Sequence, residues 1–291
     1  MKKILVATAL LASMTAANAY QYEVNAAYEN TDIDDLNSDV DAFNIGGKFY
    51  FAPVNNTTAP LAEAAFLSKA SNIGLAYTRA TFEETDSIGV ISYKLKTTSD
   101  IIGLAGEYYV PNSPLYFSAA IHNTDTSTKA SAVGVTVSDD DSGTGYAVEV
   151  GFLPVDGLLL AIGATDMKES VDPAQAAQLG FISTLGASAA AGEDTAVTLR
   201  SKYVTRLGNN DINFESKILI GDETAYRFAA DFYLDPTLSI GASVADSTFD
   251  DSDAIFGVRV QKFFTPAVAV GLGYSTTDGA DSFGINGTFR F

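Results

Sequence analysis

Residues 226–236 read Tyr226-Arg227-Phe228-Ala229-Ala230-Asp231-Phe232-Tyr233-Leu234-Asp235-Pro236. Tyr226, Phe228, Ala230, Phe232 and Leu234 share one parity; Arg227, Ala229, Asp231 and Tyr233 share the other. Successive side chains of a strand point to opposite faces, so this is a strand with one apolar and one polar face. The polar face carries a cation and a carboxylate in mid-strand. A dry core or lipid would reject both, whereas a hydrated lumen accepts them. Aromatics close the strand, and Pro236 stops it, because proline lacks the N–H that a ladder needs and favours a turn.

The same reading extends along the chain. Tyr20, Tyr22, Val24, Ala26 and Tyr28 alternate with Gln21, Glu23, Asn25 and Ala27, and Phe283, Ile285, Gly287, Phe289 and Phe291 with Gly284, Asn286, Thr288 and Arg290. Four more prolines, Pro53, Pro111, Pro154 and Pro266, follow an aromatic strand end within a few residues. Taken as turns on one side of a membrane, the five prolines divide the chain into strands near 20–29, 41–52, 71–82, 100–110, 115–125, 144–153, 158–167, 194–206, 211–220, 224–234, 238–245, 254–264, 268–276 and 282–291. Segments of about ten residues suit tilted strands crossing a bilayer, and aromatics at strand ends suit an interfacial girdle. The expected fold is all-β, an antiparallel transmembrane β-barrel of about 14 strands, with 12 to 16 left open. Ile88 to Lys96 and Ala130 to Val137 also alternate, either as a further pair of strands or as tall hairpins. Arg79 and Lys262 fall on the apolar face, which places each at an interface or beside a bulge. The chain ends on Phe291, resembling the C-terminal signal of outer-membrane barrels, although Gly284 and Gly287 depart from its usual pattern.

Lys2 and Lys3, an apolar run from Ile4 to about Met14, and Ala17-Asn18-Ala19 form a secretory leader with a small-x-small cleavage site. The expected organisation is a leader over 1–19 and one barrel domain over 20–291. With no cysteine, the chain has neither a disulfide framework nor thiol chemistry. Removing the two leader lysines leaves 15 basic and 36 acidic residues, a net of −21. That balance argues against nucleic acid, whose phosphates need basic patches. The uncharged run Ala174 to Ala191 is too weakly apolar to insert as a helix. It lies in the longest outer loop, where folding into the pore, packing at a subunit contact and forming a surface flap all stay open.

Tyr50-Phe51-Ala52-Pro53-Val54, followed by Ala59-Pro60-Leu61-Ala62-Glu63-Ala64-Ala65-Phe66-Leu67, resembles a motif near the N-terminus of the putative general porins of Gram-negative bacteria. The resemblance covers the mature chain in length and layout and implies an outer-membrane channel without naming a solute. On the residues alone, Pro60 to Leu67 reads as a short helical turn closing the periplasmic rim.

Charge is unevenly distributed. The expected outer loops, 30–40, 83–99, 126–143, 169–193, 221–223, 246–253 and 278–281, hold 21 acidic residues against three basic ones, Lys94, Lys96 and Lys129. Clusters such as Asp32/Asp34/Asp35, Asp139/Asp140/Asp141 and Asp250/Asp251/Asp253 give an acidic outer mouth, without the spacing of a calcium loop. This mouth either is simply solvated, attracts cations, or binds divalent cations that bridge lipopolysaccharide. The polar faces predict a pore lined by Glu23, Lys48, Glu107, Glu149, Arg200, Lys202, Arg206, Lys217, Arg227, Arg259 and Arg290, with Glu29, Glu215 and Asp231 beside them. Early strands are mainly acidic and late strands mainly basic, so a closed barrel would set up a transverse field unless the charges pair within each wall. The one histidine, His122, has no evident triad, and no enzyme activity, cofactor or metal centre is expected. The expected function is passive diffusion of small hydrophilic solutes or ions. A structural or adhesive barrel and a solute-selective channel are the alternatives. Expected partners are outer-membrane lipid, lipopolysaccharide, small solutes, divalent cations at the acidic loops and, by analogy with general porins, two further copies in a homotrimer.

Overall fold

The computed structural model describes residues 19–34, 38–55, 57, 60–88, 91–166, 195–249 and 252–291. The apolar leader and the Ala174 to Ala191 run lie outside the described residues, Ala19 excepted. Fourteen strands form one closed barrel in which every neighbour is antiparallel and next in sequence, β14 closing on β1. They are β1 (Ala19–Ile33), β2 (Ser38–Asn55), β3 (Asn72–Ile88), β4 (Ile91–Tyr109), β5 (Leu115–Ala132), β6 (Val135–Val155), β7 (Leu158–Asp166), β8 (Thr195–Leu207), β9 (Asn210–Ile220), β10 (Thr224–Asp235), β11 (Leu238–Ser247), β12 (Ile255–Thr265), β13 (Val268–Thr277) and β14 (Ala280–Arg290).

The alternation read from sequence decides which face turns out. On β10, Phe228 and Leu234 point outward and Asp231 and Tyr233 are buried inside. On β14, Phe283 and Ile285 point outward and Ser282 and Asn286 inward. The outer surface is thus an apolar band and the interior a polar wall, the inversion that lipid requires.

Bulges mark three of the five proline turns. The register shifts at Phe152/Val155, Tyr233/Asp235 and Phe263/Thr265, each beside Pro154, Pro236 or Pro266. Pro53 differs, because β2 runs through it to pair Val54 with Tyr20. Arg79 and Lys262 do face outward, each bonded to a neighbouring strand or turn; a register shift lies beside Lys262, at Phe263/Thr265, and none at Arg79. Arg79 donates to both carboxylate oxygens of Asp100 at 2.7 and 2.8 Å, and Lys262 donates to Thr237 at 2.6 Å.

The segments 83–99 and 126–143 are not irregular loops. β3 and β4 pair as far as Ile88↔Ile91, and β5 and β6 as far as Ala132↔Val135. They are tall hairpins and add no strand to the ring. At about 3.3 Å per residue, β4 rises roughly 30 Å beyond Ile101.

The seam is tied at both ends of the chain. The Phe291 carbonyl accepts from the Gln21 and Tyr22 amides at 2.9 and 2.8 Å. The Tyr22 and Phe291 rings stack with centroids 5.2 Å apart.

Candidate functional site: the barrel lumen

Residues 60–70, between β2 and β3, enter the barrel at its periplasmic end. Pro60 is extended, with φ −73° and ψ 149°. After it come a 3-10 turn, Leu61–Glu63, and the four-residue helix α1, Ala64–Leu67. Proline suits a helix start and alanines favour its continuation, so the local conformation follows from the sequence. Leu61 packs on Phe263 of β12 and Ala269 of β13, and Phe66 packs against Tyr109, Tyr116, Leu153 and Leu159 of β4 to β7. β5 and β12 stand seven places apart in a ring of fourteen, so the segment spans the full width of the barrel.

Polar groups hold the crossing in place. Glu63, 6% exposed, accepts from the Tyr233 hydroxyl at 2.7 Å and pairs with Lys202 at 2.8 Å. Arg290 donates to the Leu61 carbonyl at 2.8 Å, and the Leu61 amide donates to the Pro236 carbonyl at 2.9 Å. Ala64 packs with Tyr20, Tyr50, Val54 and Ala70 against β1 and β2. Lys69 closes the far side with Asp156 at 2.9 Å.

Above this crossing most wall charges pair. Arg290 of β14 binds Glu23 of β1 at 2.7 Å. Lys202 also binds Glu215, directly opposite on β9, at 2.7 Å. Arg200 reaches Glu149 at 3.1 Å and lies 3.9 Å from Glu107, whose other contacts include the Tyr116 hydroxyl at 2.6 Å. Arg259 holds Asp231 through two bonds, one of them 2.7 Å. Glu215 and Asp231 each have a cation on their own strand, Lys217 and Arg227, but pair instead with Lys202 and Arg259. Lys202 is the direct cross-strand neighbour of Glu215, whereas Arg259 reaches Asp231 across the intervening strand β11 at Gly241.

Ten of the eleven sequence-predicted pore residues therefore project into the lumen. Lys48 stands opposite Glu23 on the adjoining strand, and Lys217 and Arg227 stand opposite each other. Arg206 does not join them: it lies at the periplasmic rim, its side chain 73% exposed and 3.7 Å from Asp211. Sequence reading missed Glu63, because the alternation that marks lumen residues does not extend into a helical turn. A cavity of about 110 Å³ beside the crossing is lined by Glu23, Glu63, Lys202, Asp231, Arg259 and Arg290, among others. His122 lies buried in the wall with its ring over Gly145, where a Cβ would come within 2.3 Å of it. Among the described residues, no cluster of His, Asp or Glu fit for a metal ion occurs.

The chain is similar to the outer membrane protein Omp33 of Acinetobacter baumannii, at 29% identity over 94% of this chain and 99% of that one, with a TM-score of 0.64. More distant structures include the transport unit of the autotransporter AIDA-I from Escherichia coli, at 9% identity over 98% and 96% of the two chains and a TM-score of 0.48. OprB of Pseudomonas putida matches at 9% identity over 96% and 95%, with a TM-score of 0.46. No curated protein sequence matches. A family model described as "Putative general bacterial porin" matches residues 1–291. With a water-facing charged lumen inside an apolar fourteen-strand barrel, and this match along its whole length, the chain belongs to that porin family, an outer-membrane channel for passive diffusion.

Proposed function

We propose that this porin is a narrow channel in which solutes must pass residues 60–70 at the periplasmic end. The supporting observation is the crossing itself, which touches opposite walls and is gripped through Glu63. Only small hydrophilic solutes and ions fit beside it, and their own gradients drive them. Replacing Glu63 removes the one carboxylate the crossing offers to Lys202 and Tyr233. In planar bilayers, Glu63→Ala combined with Phe66→Ala is expected to raise single-channel conductance at least twofold. Unchanged conductance in the double variant would count against a constriction at this place.

The outer surface suggests how the barrel meets its membrane. Asp32 stands directly opposite both Asp39 and Asp281. Like charges in register repel unless something lies between them. Divalent cations shared with lipopolysaccharide phosphates would relieve that repulsion. We also assign residues 1–19 to a cleaved leader and take a homotrimer as the working assembly. Chemical cross-linking in native membranes tests the trimer, and mass measurement of the mature chain tests the leader.

A further inference from the structure

Three lumen cations stand in one row. Arg200 of β8 is the register partner of Lys217 of β9, and Lys217 is the partner of Arg227 of β10. Directly opposed side chains have Cβ atoms about 5 Å apart, and like charges there are destabilising. The sequence places cation opposite cation twice in this row, an arrangement that wall stability alone does not favour. Its members are not equally committed. Arg200 is taken by Glu149 and Glu107, and Lys217 is itself engaged. Among the described residues, no hydrogen bond or ion pair holds the Arg227 guanidinium. The carboxylates that act on it are Glu215, Asp231 and Glu29. Glu215 already binds Lys202, Asp231 already binds Arg259, and Glu29 accepts from Ser282 at 2.7 Å. Lys48 is likewise without a direct bond, but its register partner is the carboxylate Glu23, not a cation.

Position adds direction. Arg227 is three residues from the outer end of β10, whereas Tyr233, which grips the crossing, is near the periplasmic end. A solute entering from outside meets the acidic mouth first, then this row, then the cavity above residues 60–70. The mouth favours a positive group and repels a free anion. The row favours a negative group, and a guanidinium matches a carboxylate in a two-bond fork.

Resting on the channel reading above, we propose that Arg227, backed by Lys217, is the contact for the carboxylate of small zwitterionic solutes, which carry an ammonium and a carboxylate together. The row makes the channel prefer them over neutral solutes of the same size.

Swelling of proteoliposomes separates the possibilities. Wild-type protein is assayed with glycine and with a neutral polyol of similar size, and the ratio of the two rates is read. The expected ratio exceeds one. Arg227→Gln lowers it roughly three- to tenfold, the range of one charge-assisted contact in a wet lumen, Arg227→Glu lowers it further, and Arg227→Lys, which keeps the charge but not the fork, falls between wild type and Arg227→Gln. The polyol rate reports that each variant is folded and open. An unchanged ratio in Arg227→Gln and Arg227→Glu, with the polyol still passing, overturns this inference and leaves the channel standing. No swelling with either solute in the wild type overturns the channel reading and this inference with it.

Discussion

Gly241 decides a charge pair in which it takes no part. It lies between Asp231 on β10 and Arg259 on β12, in register with both. A Cβ at Gly241 would come within 2.2 Å of Asp231 Oδ1 and 2.9 Å of Arg259 Cγ. The absent side chain is therefore the path by which the guanidinium crosses one strand to its carboxylate. Gly241→Ala should break or bend the Arg259–Asp231 pair, with Asp231 nearly inaccessible at 5% exposure. Splitting a buried ion pair costs about 3 kcal/mol at the lower end. Urea unfolding in lipid vesicles would show it as a lowered midpoint. Gly47→Ala is the comparator, since a Cβ there meets nothing nearer than 3.8 Å. Equal midpoints for the two variants would refute the role given to Gly241. This pair also marks a limit of reading at the residue scale. Alternation placed Arg227, Asp231 and Arg259 in the lumen, yet it could not choose between partners. That choice depends on which strands are neighbours and on a missing Cβ between them.

At the scale of elements, two features depart from a plain ring of strands. The first is the pair of tall hairpins, β3–β4 and β5–β6. Their periodicity was legible at Ile88 to Lys96 and at Ala130 to Val137, but a strand above the membrane alternates like one within it, so sequence left their place open. Outside the bilayer, Glu83 receives Lys94 and Lys96, both at 2.6 Å. The hydrogen bond from Lys94, then that from Lys96, lowers its carboxyl from 4.5 to about 2. A lowered acid stabilises the fold above its unfolded value and stops doing so as pH falls through the folded one. Protection of the β3–β4 tip against hydrogen exchange, corrected for intrinsic rates, should be full above pH 4.5 and lost as pH approaches 2. Glu83→Gln should lack that step, and the same step in both proteins would exclude Glu83 as its source. The second feature is residues 60–70. Their helical turn at the periplasmic rim was readable from proline and alanines. Their path across the barrel was not, because it depends on contacts such as Glu63 with Tyr233, 170 residues away.

For the whole molecule, the decisive property is the separation of charge by depth. Without the two leader lysines the chain carries a net −21, and the outer loops read from sequence account for −18 of it. The walls are close to balanced, and their pairs are short-range: Arg290 with Glu23, Lys202 with Glu215 and Glu63, Arg259 with Asp231. Paired charges produce little field at a distance, so the transverse field suggested by acidic early and basic late strands is largely cancelled where strands meet. What remains is an acidic mouth in solvent and a local cationic row at Arg200, Lys217 and Arg227. These two respond differently to salt. The Debye length falls from about 10 Å at 0.1 M to about 3 Å at 1 M, so the field of an open mouth is screened while a contact inside the lumen is affected much less. Reversal potentials under a fixed KCl gradient should therefore show clear cation preference at low salt, declining toward none near 1 M. The zwitterion-to-polyol ratio, set by contact with Arg227, should decline much less over the same range. A cation preference that stayed constant with salt would locate ion selectivity in the lumen contacts rather than in the outer field, and would require an unpaired acidic side chain in the wall.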